Sequence, residues 1–195
     1  PYYITLEERN QIADFDLSAR PALAIQRDIF IFQCCIGCRV SDLMRLTESN
    51  IIDGVVEYIP TKTKGETKKT VSVPLNNRAM EILNRYKGNT KKGLILPFIS
   101  SQKYNDAIKE IFTVCGVTRN VTVVDSVTGE EVQRPINKVA SSHMARRCFV
   151  GNLYQKIQDP NLIASMSGHA EGSKAFARYR AIDKDTKKKV VSLID

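Results

Sequence analysis

The sequence predicts a mainly α-helical domain that carries a small β-hairpin or sheet, an α+β fold. Helix-start and helix-stop residues recur along most of the 195-residue chain, with capping side chains before apolar runs and glycine after them. Two short runs rich in Val and Ile, at 55–59 and 70–73, are typical of strands and flank a turn that contains glycine. A hydrophobic content of 43% supplies enough side chains for a real core.

The first 37 residues predict two helices. Thr5 followed by Glu8 is a capping-box pattern, which begins the first helix. Pro21 lies near the start of a second, strongly apolar helix that runs to about Ile36. Gly37 then supplies the usual C-terminal signal, so the sequence predicts a central core helix that ends at this glycine.

Arg39 follows in a tight junction between two helices. Ser41 or Asp42 can cap the next short helix. An arginine fixed at a helix junction differs from one on a free surface, and a functional role is one interpretation. The alternative is that Arg39 pairs with a carboxylate such as Asp42 and only ties the junction.

A basic hairpin is predicted between the two strand-like runs. Its tip, residues 61–69, is rich in lysine and has glycine at the turn. Strand alternation puts Lys62 and Lys64 on one face. The hairpin is either a solvated basic loop or a finger that contacts phosphates, and the second interpretation fits the overall charge of the chain.

The same signals predict five more helices and a second hairpin. The helices begin at Asn76, near Ser100 or Ser101, at 141, at Asp159 and at Asp183. The last of them is a basic amphipathic tail helix at 183–195. Residues 119–136 are predicted to form a hairpin or an ordered flap.

The helix at 141–157 carries the first candidate site residues. Ser141 or Ser142 is its expected N-cap. His143 and Arg146 lie three residues apart, so they share one face of the first turn. The positive end of a helix, its unpaired N–H groups and an arginine fork together suit an anion, above all a phosphate.

His169 and Tyr179 add an imidazole and a phenol downstream. A His, an Arg, a His and a Tyr in this order can form a nucleophilic site directed at phosphate. The alternative is a capped surface helix with scattered polar residues. Tyr154 is a competing phenol, although it lies within helix 141–157 among core-facing residues.

The charge and the cysteines narrow the class of protein. A net charge of +8, from 29 Lys plus Arg against 21 Asp plus Glu, predicts a polyanionic partner such as nucleic acid or an acidic membrane surface. No apolar run approaches the ~20 residues that span a bilayer. An odd count of five cysteines predicts a reducing, cytoplasmic setting. The pair Cys35 and Cys38 is expected to be buried thiols rather than a metal or redox pair.

These features together resemble the catalytic domain of the tyrosine recombinases, over nearly the whole chain. The matching segments, in order, are Cys38-Arg39-Val40-Ser41-Asp42-Leu43, the lysine-tipped hairpin that ends in Val73-Pro74-Leu75, Ser142-His143-x-x-Arg146, Gly168-His169 and Tyr179. Residues 168–179 resemble, more narrowly, the integrases of conjugative or mobilisable elements of Bacteroides-type bacteria. The resemblance implies that 1–195 is a C-terminal catalytic domain, with the family's N-terminal DNA-binding domains absent from this chain.

The resemblance also implies roles for the site residues. Tyr179 would attack a DNA phosphodiester, forming a 3′-phosphotyrosyl link and releasing a 5′-hydroxyl. Because a phenol has a pKa of about 10, it needs a base or a positive field, which His143 and the arginines supply. Arg39 and Arg146 would clamp the non-bridging oxygens.

Two further roles follow from the resemblance. His169 would hydrogen-bond the phosphate and Lys62 would protonate the leaving 5′-oxygen, with Lys64 as the alternative because the hairpin is longer than usual. The spacing from His169 to Tyr179 is also one residue longer than is usual in the family. The covalent link stores the bond energy, so neither a metal nor a nucleotide cofactor is implied.

The implied partner is double-stranded DNA, bound by a tetramer at recombining sites, with a monomer in the absence of DNA and no membrane. Attack by a 5′-hydroxyl from another strand gives strand exchange, and therefore integration or excision of a mobile element. The alternatives are nicking and resealing, as by a type IB topoisomerase, and a non-catalytic DNA-binding module, which would explain the charge but not the order of the site residues. A cysteine-based phosphatase is poorly supported, because no Cys lies in a phosphate-cradling loop.

Overall fold

A computed structural model describes residues 2–61, 69–157, 159–169 and 191–192. Over these residues the fold is mainly helical with two small antiparallel sheets, which confirms the predicted α+β class. The helices are α1 Leu6–Asp14, α2 Pro21–Ile36, α3 Val40–Leu43, α4 Asn77–Tyr86, α5 Ser101–Val114, α6 Ile136–Val139, α7 Ser142–Lys156 and α8 Pro160–Ser167. The strands are β1 Ile51–Ile52, β2 Val55–Tyr58, β3 Val71–Pro74, β4 Asn120–Val124 and β5 Glu131–Pro135, and a 3₁₀ turn at Glu48–Asn50 precedes β1.

Helix α2 is the centre of the core, as its apolar density predicts. It packs against α1, α4, α5 and α7. The side chains of Ile29 and Phe30 are fully buried, and the Phe30 ring meets Phe112 of α5 edge to face at a centroid distance of 5.5 Å. Each fully buried side chain of this size contributes about 1.5–3 kcal/mol, so α2 holds the surrounding helices in place.

The helix ends follow the predicted local signals. Thr5 and Glu8 form the capping box of α1, and Asn76 caps α4 by accepting from Ala79 N–H. Helix α2 ends at Gly37, whose φ of 66° lies in the left-handed region that glycine adopts without strain.

The three-stranded sheet has the order β1-β2-β3, and all its pairs are antiparallel. Val56 of β2 lies opposite Val73 of β3, and both are buried, whereas the neighbouring Ser72 is exposed. The sequence predicted β2 and β3 but not the two-residue β1. Strand β3 also contacts α8, so the base of the basic hairpin lies beside the end of that helix.

Strands β4 and β5 form the second predicted hairpin, in register from Asn120 opposite Pro135 to Val124 opposite Glu131. Short helix α6, which the sequence did not predict, follows it directly and packs against α5. It leads the chain to the start of α7.

The predicted cap of α3 is wrong, and that of α7 is confirmed in its position only. Helix α3 begins at Val40, so Arg39 itself is the N-cap residue and neither Ser41 nor Asp42 caps the helix. Ser141 occupies the N-cap position of α7, but its side chain makes no capping hydrogen bond. Asn105 of α5 supplies the acceptor instead, with 2.8 Å from its Oδ1 to Ser142 N.

The tail helix predicted at 183–195 lies outside the described residues except for 191–192. None of the helices within the described part of the chain is long and apolar enough to cross a membrane.

Candidate active site

The site is built around the turn that ends α8. Gly168 has a φ of 66°, and the N–H groups of Gly168 and His169 both donate to Ala164 O, at 2.9 and 3.2 Å. A Cβ at position 168 would lie 3.1 Å from Val71 Cγ2 and 3.3 Å from Pro60 Cγ. Because Pro60 and Val71 are at the base of the basic hairpin, the turn and the hairpin base are in direct contact.

Arg146 is buried, with 2% of its surface exposed, and it projects from α7 into this turn. Its Nη1 donates to Gly37 O at 3.0 Å and also to Ser167 O. Both carbonyls belong to helix C-termini, those of α2 and α8, where the helix dipole is negative. The two helix ends therefore stabilise a guanidinium that burial alone would disfavour.

His169 lies next to this guanidinium. Its Nδ1 is 3.0 Å from Arg146 Nη2 and 2.8 Å from Ser167 Oγ. A guanidinium only donates, so Nδ1 is the acceptor and the ring proton is on Nε2. Burial, followed by the charges of Arg146, Arg39 and His143, lowers the pKa of His169 to about 3. The imidazole is therefore neutral near pH 7.

Arg39 reaches the same turn from the opposite side. Its Nη1 donates to Gly168 O at 3.4 Å. Arg39 and Asp42, both within the described residues, form no ion pair with each other, so the interpretation of Arg39 as the partner of that carboxylate is wrong. Arg39 and Arg146 instead hold consecutive carbonyls of one turn.

Asp42 has a different function in the junction. It is 1% exposed, and its Oδ1 accepts from Thr61 N at 2.9 Å, from Thr61 Oγ1 at 2.5 Å and from Arg45 Nη2 at 3.2 Å. Thr61 is the last described residue before the hairpin tip. Asp42 thus fixes the base of the hairpin to the helix that follows Arg39.

His143 is exposed on the first turn of α7, three residues before Arg146. It is close enough to His169 for its charge to lower the pKa of that imidazole. The structure therefore brings together four of the predicted site residues, Arg39, His143, Arg146 and His169, from three separate segments of the chain, since His143 and Arg146 are both on α7. Lys62, Lys64 and Tyr179 lie outside the described residues.

Sequence reasoning missed the partners that hold these side chains. Ser167 contacts His169 two residues away, Gln33 contacts Cys38 O five residues away, and Asn105 contacts Ser142 N 37 residues away. An ordinary polar residue in a helix carries no signal of such a contact. The prediction for the cysteines is confirmed, since all five are buried free thiols. Burial raises the pKa of Cys34, Cys35 and Cys38, which keeps these thiols protonated and unreactive.

Solved structures of similar fold are recombinases and integrases. XerH site-specific recombinase bound to its palindromic difH substrate is 18% identical, with a TM-score of 0.64 over 98% of this chain and 53% of that one. A lambda integrase tetramer bound to a Holliday junction is 19% identical, with a TM-score of 0.59 over 87% of this chain and 47% of that one. The Tn1549 transposon integrase in complex with circular intermediate DNA is 14% identical, with a TM-score of 0.64 over 91% of this chain and 60% of that one.

This chain therefore spans between 47% and 60% of the length of those three proteins. No curated protein matches it significantly. The sequence profile of the phage integrase family matches residues 3–186, which is nearly the whole chain. The chain belongs to the phage integrase family, that of the tyrosine recombinases.

Proposed function

We propose that this chain is the C-terminal catalytic domain, residues 1–195, of a site-specific DNA recombinase that cleaves and rejoins DNA through a covalent tyrosine intermediate. The observation that carries the proposal is the convergence of Arg39, Arg146 and His169 on the turn at Gly168. Two guanidinium groups and a neutral imidazole within one cluster form a site for a phosphate group, to which each of them can donate.

The geometry supports a separate role for each site residue at the phosphate. Arg39 and Arg146 stabilise the negative charge on the non-bridging oxygens as it grows in the transition state. His169 keeps its proton on Nε2 and donates from that nitrogen, because Nδ1 is occupied by Arg146. His143, exposed at the edge of the cluster, takes the proton of the attacking phenol.

Tyr179 is the proposed nucleophile among the seven tyrosines of the chain. Tyr58 and Tyr104 are buried, and burial raises the pKa of both phenols well above their usual range. The Tyr86 hydroxyl donates to Asp28 at 2.7 Å. The Tyr2 ring packs against Arg147, and the Tyr3 hydroxyl accepts from Gln155. Tyr154 packs within the small cluster around Ile163. Because these six phenols are buried or engaged elsewhere, we propose the seventh, Tyr179, which lies outside the described residues.

Lys62 is the proposed general acid. In the cleavage step the Tyr179 oxygen bonds to phosphorus, the bond to the 5′-oxygen breaks, and Lys62 gives that oxygen its proton. Support comes from the base of the hairpin, since Thr61 is bonded to Asp42 and Pro60 lies against Gly168. The reverse attack by a 5′-hydroxyl of a second strand restores the diester and completes strand exchange.

The proposed partner is double-stranded DNA, in keeping with the net charge of +8 and with the DNA present in the three structures above. By likeness to the lambda integrase tetramer on a Holliday junction, we propose a tetramer on recombining sites and a monomer without DNA. The cytoplasm is the proposed location, where DNA is accessible and the five free thiols stay reduced.

The test uses nicked duplexes of randomised sequence, in which the short cleaved strand is lost by diffusion and the covalent complex is trapped. The proposal predicts an adduct that survives denaturation, and its bound DNA identifies a cleavable sequence. Two labelled duplexes of that sequence should then exchange strands. Relaxation of supercoiled DNA without exchange would favour the topoisomerase alternative, and binding without any adduct would favour the non-catalytic module.

A further inference from the structure

We propose that Gln33 is a positioning residue for the phosphate clamp, acting through the turn that joins α2 to Arg39. The proposal rests on the proposed function, because the effect of Gln33 is expected in DNA cleavage. Gln33 does not touch the clamp itself. It lies six residues before Arg39, near the end of α2, and its side chain is fully buried.

The Gln33 amide is bonded at both ends. Its Nε2 donates to Cys38 O at 3.0 Å, and its Oε1 accepts from the hydroxyl of Tyr104 on α5 at 2.9 Å. Tyr104 is also fully buried. A buried amide is costly unless its donors and acceptors are satisfied, so this pair fixes the rotamer of Gln33 and hence the position of the Cys38 carbonyl.

The turn held by Gln33 serves both arginines. Gly37 N donates to the backbone carbonyl of Gln33 at 2.9 Å, while Gly37 O accepts from Arg146 at 3.0 Å. Arg39 follows Cys38 directly and is the N-cap residue of α3. The peptide unit before Cys38 therefore carries Gly37 O, the acceptor for Arg146. The peptide unit after Cys38 leads directly into Arg39.

A rotation of this turn would move both guanidinium groups away from one phosphate. Catalytic geometry is sensitive to displacements of about 1 Å, which can cost on the order of 100-fold in rate. The Gln33 amide therefore affects more than its own burial. Cys38, whose carbonyl it holds, lies between Gly37, which accepts from Arg146, and Arg39.

The test compares two identical substitutions on the same helix. Gln33→Leu removes the amide that holds Cys38 O. Gln26→Leu is the matched control, since Gln26 is also buried, lies two turns earlier on the same face of α2, and its Oε1 has no hydrogen-bond partner within the described residues. The readout is the single-turnover rate of adduct formation on saturating nicked duplex, well below the melting temperature of each variant. DNA affinity is measured separately in the Tyr179→Phe background.

Gln33→Leu should slow adduct formation by about 10-fold or more while changing the DNA dissociation constant by less than about threefold. Gln26→Leu should stay within about twofold of the wild-type rate. Equal rates for the two variants would overturn the proposal and leave Gln33 as a stability residue only.

Gln33→Glu, measured at pH 6, keeps the test decisive if Gln33→Leu does not fold. Burial keeps the new carboxyl protonated, so it can donate to Cys38 O and accept from Tyr104 in place of the amide. The nearby thiols of Cys34 and Cys38 and the phenol of Tyr104 have pKa values raised by burial and stay neutral at this pH. The charged side chains that act on these groups are Asp42 and Arg146 on Cys38, and Arg9 on Cys34.

The proposal predicts rescue by Gln33→Glu to within about threefold of the wild-type rate at pH 6. A rate as low as that of Gln33→Leu, or a loss of more than about 10-fold where only Gln33→Glu folds, would contradict it. Absence of any adduct with the wild-type chain is a separate result, because it rejects the proposed function first and the role of Gln33 with it.

Discussion

At the scale of single residues, the Arg146 guanidinium is the best-defined part of the site. It is almost completely buried, and its partners are two helix-terminal carbonyls and a neutral imidazole. These partners are neutral dipoles, so they orient the guanidinium by hydrogen bonds and leave its positive charge uncancelled. A phosphate oxygen that reaches the cluster therefore meets a fixed positive charge in a poorly solvated place, where such interactions are strong.

Arg146→Ala and Arg39→Ala should each lower the rate of adduct formation by on the order of 100-fold or more, as for lost donors to a developing charge. Arg147→Ala is the neighbouring control. Its guanidinium lies 4.8 Å over the Tyr2 ring, away from the Gly168 turn, so its loss should cost less than about 10-fold. Equal losses for Arg146→Ala and Arg147→Ala in the same single-turnover assay would mean that the wrong face of α7 has been assigned to the phosphate.

His169 should give the stability of the protein a measurable pH dependence. Its pKa is lowered to about 3 in the folded chain, against about 6.5 for an ordinary histidine. Between these values the unfolded chain binds the proton and the folded chain does not, so stability falls as the pH falls below about 6.5.

The variant His169→Asn should remove that dependence. After discounting for partial exposure, the effect from pH 7 to pH 5 is about 1 kcal/mol, or on the order of 2–4 °C in melting temperature. Thermal unfolding at the two pH values measures it. A wild-type chain that loses no more stability than His169→Asn on acidification would contradict the neutral, buried state assigned to this imidazole.

Residue identities were more predictable than their contacts. The positions of Arg39, His143, Arg146 and His169 could be selected from the sequence because each lies beside a helix boundary that carries its own capping signal. The bonds of Arg146 to Gly37 and Ser167 could not be predicted, since they join segments 109 and 21 residues away. For the same reason the sequence does not show that Asn105, from another helix, accepts from Ser142 N–H at the start of α7.

At the scale of elements, the Gly37 turn is the connection between the core and the site. Gly37 has a φ of 66°, and a Cβ there would overlap the Phe149 ring of α7. The contact between α2 and α7 at this point therefore depends on the absence of a side chain as well as on the backbone conformation.

Gly37→Ala should destabilise the chain by about 2–4 kcal/mol, from left-handed backbone strain together with overpacking against Phe149. Gly88→Ala is the matched control, with a φ of 76° and nothing within 4 Å of its added Cβ. It should cost only about 1–2 kcal/mol from the backbone strain. Chemical denaturation of the two variants gives the comparison, and a Gly37→Ala chain as stable as Gly88→Ala would show that the packing of α7 on this turn is looser than described.

The basic hairpin gives a prediction that separates its two lysines. A general acid is dispensable when the leaving group needs no proton, as with a 5′-bridging phosphorothiolate, since a thiolate leaves readily at its lower pKa. Lys62→Ala should be slow on normal DNA and close to the wild-type rate on the sulfur substrate. Lys64→Ala should show only a binding defect that shrinks at low salt.

Rates of adduct formation on the two substrates decide between the lysines. Rescue of Lys64→Ala alone would assign the acid two residues further along the hairpin. Rescue of neither variant would mean that the hairpin does not donate the proton and is a basic loop on the surface.

Long elements were more predictable than short ones. Helices α1, α2, α4, α5, α7 and α8 each have a capping residue, a helix-ending residue or an apolar face that is visible in the sequence. Strand β1 has two residues and α6 has four, so neither is long enough for a periodic pattern, and their conformations depend on tertiary contacts.

At the scale of the whole molecule, the fold brings site residues from three separate segments to one turn, in a protein of net charge +8. Helix α2 is the common support, because it packs against α7, which carries Arg146, and ends at the turn before Arg39. We propose that this arrangement directs Tyr179 at a DNA phosphate.

Mapping of the covalent adduct tests that claim most directly. The wild-type chain is trapped on nicked duplex, digested with protease, and the DNA-linked peptide is sequenced by mass spectrometry. We expect the DNA to be attached through its 3′-phosphate to Tyr179. We also expect that Tyr179→Phe forms no adduct while binding DNA within about threefold of the wild type, because the phenol oxygen serves only the chemistry. The paired control, Tyr154→Phe, should still form the adduct. Attachment at Tyr154 or any other residue, or adduct formation by Tyr179→Phe, would contradict the proposal that Tyr179 is the nucleophile.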